Sequence, residues 1–203
     1  VIPRWLDFPR VGAREGSPSS AVLMLLLGTE VADGRVVLTH RSPSMRSHSG
    51  QIAFPGGHLE PGETAADAAL REAHEETGLD RRTVTVFDQW KPRPTMATGR
   101  WVAPVLAYWD APHPLYVASP AELDDVFAAP VEDLRAPANR VTVGFRGYTG
   151  PGFWHQGYLI WGLTGGLIDN LLSHAGWEKD WEKGKVLDLS GLLAQSRNHE
   201  KRL

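Results

Sequence analysis

Three carboxylates, Glu72, Glu75 and Glu76, fall within five consecutive residues of a segment whose apolar positions carry a helical period. Ala66, Ala69, Leu70 and Ala73 stand at i, i+3, i+4 and i+7 and form one stripe suited to packing on a sheet. At about 100° per residue the three glutamates project together, centred roughly 120° around from that stripe. Like charges at i, i+4 repel by a few tenths of a kcal/mol, and Arg71 is the single arginine or lysine in the segment. Such a cluster calls for a cation. Hard oxygen ligands suit Mg²⁺ or Mn²⁺, which keep bound waters and bridge to substrate phosphates. The competing interpretation is a solvated acidic face.

The preceding loop favours the metal. Gly56 and Gly57 permit a close backbone approach, Glu63 follows Gly57 by six residues, Arg71 follows Glu63 by eight, and residues 71–79 read R-E-A-H-E-E-T-G-L. This spacing resembles the Nudix hydrolase pattern G-x5-E-x7-R-E-U-x-E-E-x-G-U, with every fixed charged and glycine position filled. Ala73 is the one departure, since U is normally a larger aliphatic residue; it bears on packing more than on chemistry.

The resemblance implies a Nudix-type α/β/α sandwich with a mixed sheet, and hydrolysis of a nucleoside diphosphate linked to another group. Carried over by position, Glu72, Glu75 and Glu76 are the implied metal ligands, with the Gly56 carbonyl as a further one, and Glu63 and Arg71 brace loop and helix. Glu72, Glu76, Arg71 and Glu63 make up the candidate catalytic set. Glu72 is the leading choice of general base, while Glu122, Asp124 and Asp125 are later candidates for base or ligand, and equally for solvated acids of a helix.

Upstream, residues 37–42 read V-L-T-H-R-S and are followed by Arg46, Gly50 and F-P-G-G at 54–57. This resembles the additional signature L-L-T-x-R-S-x3-R-x3-G-x3-F-P-G-G of the coenzyme A pyrophosphatases within the Nudix superfamily, with Val37 in place of the first Leu. Coenzyme A carries a pyrophosphate and a separate 3′-phosphate, so cationic groups beyond the metal are useful. Arg41 and Arg46 are the candidate phosphate contacts, with His48 as a hydrogen-bonding candidate and Gln51 as a pocket residue. Either arginine alone could equally serve a surface ion pair.

The elements that must hold these residues follow from pattern. Residues 21–27 and 35–41 are β-rich and flank an Asp-Gly turn signal at 33–34, which predicts a hairpin. Thr64 is the expected N-cap of a helix running to about Thr77, and Gly78 its left-handed C-cap. Residues 83–89, 101–108 and 140–145 read as strands, 121–127 as a short helix, and 159–172 as a core helix. Without a regular βαβ rhythm the class is α/β in the layered-sandwich sense. The expected organisation is an N-terminal arm over 1–20, a Nudix domain over 21–176 and a C-terminal extension over 177–203. The eight tryptophans read as packing residues.

Composition narrows the function classes. A formal net charge of −3 over 203 residues offers no field for a phosphate backbone, so nucleic acid is not an expected partner. The apolar run 21–27 is far shorter than the roughly 18 residues of a membrane span, and no signal-peptide cleavage region follows it, so no membrane association is expected. With no cysteine there is no disulfide or thiolate chemistry, which suits a reducing cytoplasm. The expected partner is a small nucleotide, coenzyme A; a homodimer is compatible with the resemblance. ADP-ribose, dinucleotides and oxidised nucleotides are the alternative substrates, and a non-catalytic nucleotide-binding module is the alternative class.

Overall fold

Alternation in the first apolar run builds the centre of the molecule. In the computed structural model, which describes residues 1–11, 17–95 and 99–201, strand β1 (Ser20–Leu27) sends Leu23 and Leu25 to one face and Met24 and Leu26 to the other, all fully buried. Residues 12–16 of the expected arm lie outside the described residues. Strand β2 (Arg35–Arg41) returns antiparallel, with Leu26 opposite Val36, so the expected hairpin forms, closed by the loop 28–34 in which the Asp33 carboxylate accepts from the Thr29 and Glu30 N–H groups.

The chain continues through β3 (Ile52–Ala53), β4 (Gly56–His58), α1 (Ala65–Thr77), β5 (Val84–Gln89), β6 (Arg93–Pro94), β7 (Trp101–Trp109) and β8 (Leu123–Pro130). Then come α2 (Val131–Arg135), β9 (Arg140–Phe145), β10 (Tyr148–His155), β11 (Tyr158–Ile160), α3 (Gly162–His174), β12 (Val186–Asp188) and α4 (Leu189–Gln195). The first sheet runs β3-β2-β1-β7-β5, with β4 also on β1, β6 on β7 and β8 on β2. β1 and β7 are parallel and their other neighbours antiparallel, so the sheet is mixed, as expected. A second sheet runs β11-β10-β9-β12.

The two faces of the first sheet carry separate cores. On one, Ala65, Ala68, Ala69, Leu70 and Ala73 of α1 lie against Leu23, Leu25 and Val105. On the other, Met24, Leu26 and Leu106 meet Phe153 of β10 and Leu167, Ile168 and Leu171 of α3. Leu6 and Phe8 join this second core, where the Trp5 and Trp177 rings pack at a tilt of 32° with centroids 5.0 Å apart. Trp90, Trp109 and Trp177 are buried, as packing residues should be, whereas Trp101 is exposed.

Two expectations are corrected. Residues 121–127 do not form a helix: β8 pairs along β2, with Leu38 opposite Phe127 and Arg35 opposite Pro130. A ladder of that length on a strand already buried outweighs the weak helical preference of a short acidic segment. Residues 159–172 are not one helix either. Leu159 and Ile160 pair with β10, and the helix begins only at Gly162, whose φ of 64° lets the chain turn from strand into helix.

Helix α1 matches its expected ends. The Thr64 side chain accepts from the Asp67 N–H, and Gly78 closes the helix at φ 71°. Its seat depends on alanines small enough to let the axis approach the sheet. Ala69→Leu should therefore overpack this face and destabilise the fold by about 1–3 kcal/mol, read as a lower urea midpoint at unchanged m-value.

Candidate active site

The loop after β4 and the exposed side of α1 are clamped by one guanidinium. Arg71 Nε donates to Glu63 Oε1 at 2.8 Å and Nη2 to Glu63 Oε2 at 3.0 Å, the bidentate geometry of a strong ion pair. The same Nη2 donates to the His58 carbonyl at 2.9 Å, while Nη1 donates to Glu72 at 3.0 Å and to Glu75 at 3.4 Å. The Arg71 hydrogen bonds and the Glu60 N–H hold the Glu63 carboxyl down to about 2. Glu63 in turn raises the affinity of Arg71 for its proton.

Glu76 lies on the buried side of the same cluster, only 3% exposed. Its Oε2 accepts from the Gly56 N–H at 3.0 Å, and Oε1 stands 3.9 Å from the Arg41 guanidinium. Burial pushes its carboxyl up to about 8; Gly56 and Arg41 oppose that shift, and the negative charges of Glu72 and Glu122 reinforce it. Gly57 matters for a different reason than torsion: a Cβ there would collide with the Glu72 carboxyl and push it from its place.

The candidate residues are thus partly assembled. Arg41, Gly56, Glu72, Glu76 and Glu122 surround one region, with Glu63, Arg71 and Glu75 bracing its rim. Glu75 is turned outward and more than half exposed. Among the described residues no three acidic or imidazole side chains converge into a ready-made metal cage. The donor chemistry nevertheless fits Mg²⁺ or Mn²⁺: the side-chain donors are carboxylate oxygens, and the buried Glu76 faces two further acids with one N–H and a distant guanidinium as compensation.

Of the later acids, Glu122 is exposed and accepts from the Ser119 hydroxyl at 3.4 Å, with its charge felt at Glu76, whereas Asp124 pairs with His40, and Asp125 accepts from the Tyr158 hydroxyl at 3.0 Å. Arg46 is exposed on the loop after β2. His48 and Gln51 meet each other, Nδ1 to Oε1 at 3.1 Å. Sequence reasoning missed Asn198 and Glu200, which pack beneath this loop; no spacing signal marks them, and the one trace is Gly50, whose φ of 75° and tight surroundings demand glycine.

The profile of the NUDIX domain matches residues 18–145. The chain is similar to "Nudix hydrolase 3" of Caenorhabditis elegans, 29% identical over 178 residues, or 77% of this chain and 74% of that protein. It is also similar to "Uncharacterized Nudix hydrolase NudL" of Klebsiella pneumoniae (strain 342), 37% identical over 146 residues, or 70% of this chain and 75% of that protein. Among solved structures, the Nudix hydrolase RenU of M. smegmatis superposes with a TM-score of 0.47 at 25% identity, covering 56% of this chain and 70% of that one.

Two tests follow from the geometry. A carboxyl whose folded-state value is depressed adds stability that is complete above its unfolded value, near 4.5 for Glu63, and is lost as pH falls toward 2. Glu63→Gln should therefore flatten the decline in Tm between pH 4.5 and 2 relative to wild type. Gly57→Ala should displace the Glu72 carboxyl and cut pyrophosphate turnover by about 10-fold or more, while Tm moves by only a few degrees.

Proposed function

We propose that this chain, which belongs to the NUDIX domain family and shares its hydrolase character, cleaves the pyrophosphate of coenzyme A or an acyl derivative, giving 3′,5′-ADP and 4′-phosphopantetheine or its acyl form. The observation that carries the reading is the place of Arg41. It comes from the upstream signature, yet its guanidinium reaches toward Glu76 of the helical one, and its Nε is buried without a hydrogen-bond partner. An unpaired buried donor beside the acids is suited to a phosphate oxygen.

Glu72, Glu75, Glu76 and the Gly56 carbonyl are the groups proposed to hold Mg²⁺ or Mn²⁺. When bound, the metal supplies positive charge against the pyrophosphate and makes water more acidic. Glu72 accepts a proton from the attacking water as its oxygen bonds to one phosphorus. The bridging P–O bond breaks, and its electron pair leaves with the other phosphate. Arg71 orients Glu72 through the 3.0 Å hydrogen bond, and Glu63 fixes Arg71, so neither needs to touch substrate. Arg41 binds phosphate oxygens; Arg46, His48 and Gln51 complete the substrate side, with Arg46 exposed and available to the 3′-phosphate.

A nucleotide-binding module without turnover has less support, because all three motif glutamates are present. The deciding experiment incubates the purified protein with coenzyme A and Mg²⁺ or Mn²⁺ beside Glu76→Gln, with products identified by mass spectrometry. The expected result is 4′-phosphopantetheine and 3′,5′-ADP from wild type, a rate lower by about 100-fold or more in the variant, and no turnover after chelation. Preferential cleavage of ADP-ribose or a dinucleotide would overturn the substrate assignment.

A further inference from the structure

Among the described residues beyond α4, Asn198 and Glu200 turn inward. Asn198 is fully buried, and its side-chain amide makes both halves of a strand pairing with Leu159 in β11. Its Oδ1 accepts from the Leu159 N–H at 2.9 Å, and its Nδ2 donates to the Leu159 carbonyl at 2.8 Å. The Asn198 backbone carbonyl pairs with His40 Nε2 at 2.9 Å, and the other ring nitrogen of His40 pairs with Asp124. His40 immediately precedes Arg41.

Two residues on, the Glu200 Oε1 accepts from Trp161 Nε1 at 2.8 Å and from Asn198 Nδ2 at 2.9 Å. Burial raises the tendency of this carboxyl to hold a proton, and the Trp161, Asn198 and Gln51 side chains counter it. The tail backbone presses on the loop itself: a Cβ on Gly50 would collide with the Asn198 carbonyl and lie 2.8 Å from the Glu200 nitrogen. Gly50 and Gln51 are tied to Arg41, since the Gly50 N–H donates to the Arg41 carbonyl at 3.0 Å and the Arg41 N–H to the Gln51 carbonyl at 2.9 Å.

We propose that residues 197–201 position the substrate-binding loop, with Asn198 and Glu200 holding Gly50 and Gln51 so that Arg41 and His48 are set for the substrate's phosphates before it arrives. The inference rests on the reading that this loop binds the substrate. Its physical content is preorganisation: residues 42–51 include exposed positions and a His48 at φ 52°, and ordering them on binding would subtract from affinity. The acids of α1 have no contact with the tail among the described hydrogen bonds and ion pairs. Loosening the tail therefore weakens binding and leaves the chemical step in place. Asn198 and Glu200 are positioning residues.

The test compares Asn198→Ala, Glu200→Ala and Glu200→Gln with Ile168→Val, a core change in α3 remote from the loop. The substrate is whichever pyrophosphate wild type cleaves fastest. Expected are a KM raised about five- to tenfold in both alanine variants with kcat within about twofold, KM nearly restored in Glu200→Gln, and lowered Tm without a KM change in Ile168→Val. Should Asn198→Ala fail to fold, the Glu200 pair carries the comparison. A fall in Tm at unchanged KM, or a kcat that drops in step with kcat/KM, overturns the proposal. Loss of the coenzyme A assignment is distinguishable, because the comparison then runs on the preferred substrate. If wild type cleaves no pyrophosphate, the Kd for ADP is read by calorimetry instead: a weaker Kd in the alanine variants supports the tail's role, and an unchanged one overturns it.

Discussion

Arg71 is asked to satisfy five acceptors at once: both oxygens of Glu63, the His58 carbonyl, Glu72 and, at longer range, Glu75. Without that guanidinium the loop from β4 to α1 would have little to fix it against the helix, and two neighbouring acids would repel without compensation. With it, a flexible connection becomes a rigid shelf on which Glu72 has one orientation. The remaining features of the site, including the bare Cα of Gly57 beneath the Glu72 carboxyl, are arranged around that shelf.

Glu76 represents the opposite strategy. Whereas Glu63 is stabilised as an anion by direct hydrogen bonds, Glu76 is buried with a single N–H at bonding distance and keeps its proton up to about 8. Desolvation outweighs one hydrogen bond and a guanidinium 3.9 Å away. Two glutamates on the same loop and helix therefore differ sharply in acidity because one faces solvent and a bidentate partner, and the other faces the sheet and more acids.

The sheet makes this contrast possible. β1 contributes to cores on both faces, so α1 is pressed to one side while β10 and α3 occupy the other. No helix among the described residues is long and apolar enough to cross a membrane. The buried apolar side chains form a core on each face of this sheet and a smaller one of Val143, Leu159 and Leu189; Leu6 and Trp177 share one of the larger cores, while Asn198 pairs with the Leu159 backbone of β11.

Local pattern determined a good deal of this by itself. The α1 helix with Thr64 and Gly78 at its ends and the β1–β2 hairpin were legible because each depends on residues close in sequence, while the Glu63–Arg71 brace was expected only from the resemblance of the motif. What the tertiary structure decided depends on distant partners. Residues 121–127 became strand because β2 offered a ladder, and Asn198 became buried because the Leu159 backbone and Gly50 receive it, whereas Leu159 and Ile160 left the expected helix for a nearby reason, a hairpin with β10 across the turn at Gln156 and Gly157. Hydrogen-bond demand of that kind is set by which strands end up adjacent, and adjacency across separations such as 33 residues for Asp125 and Tyr158 or 158 for His40 and Asn198 leaves no period in the sequence to read.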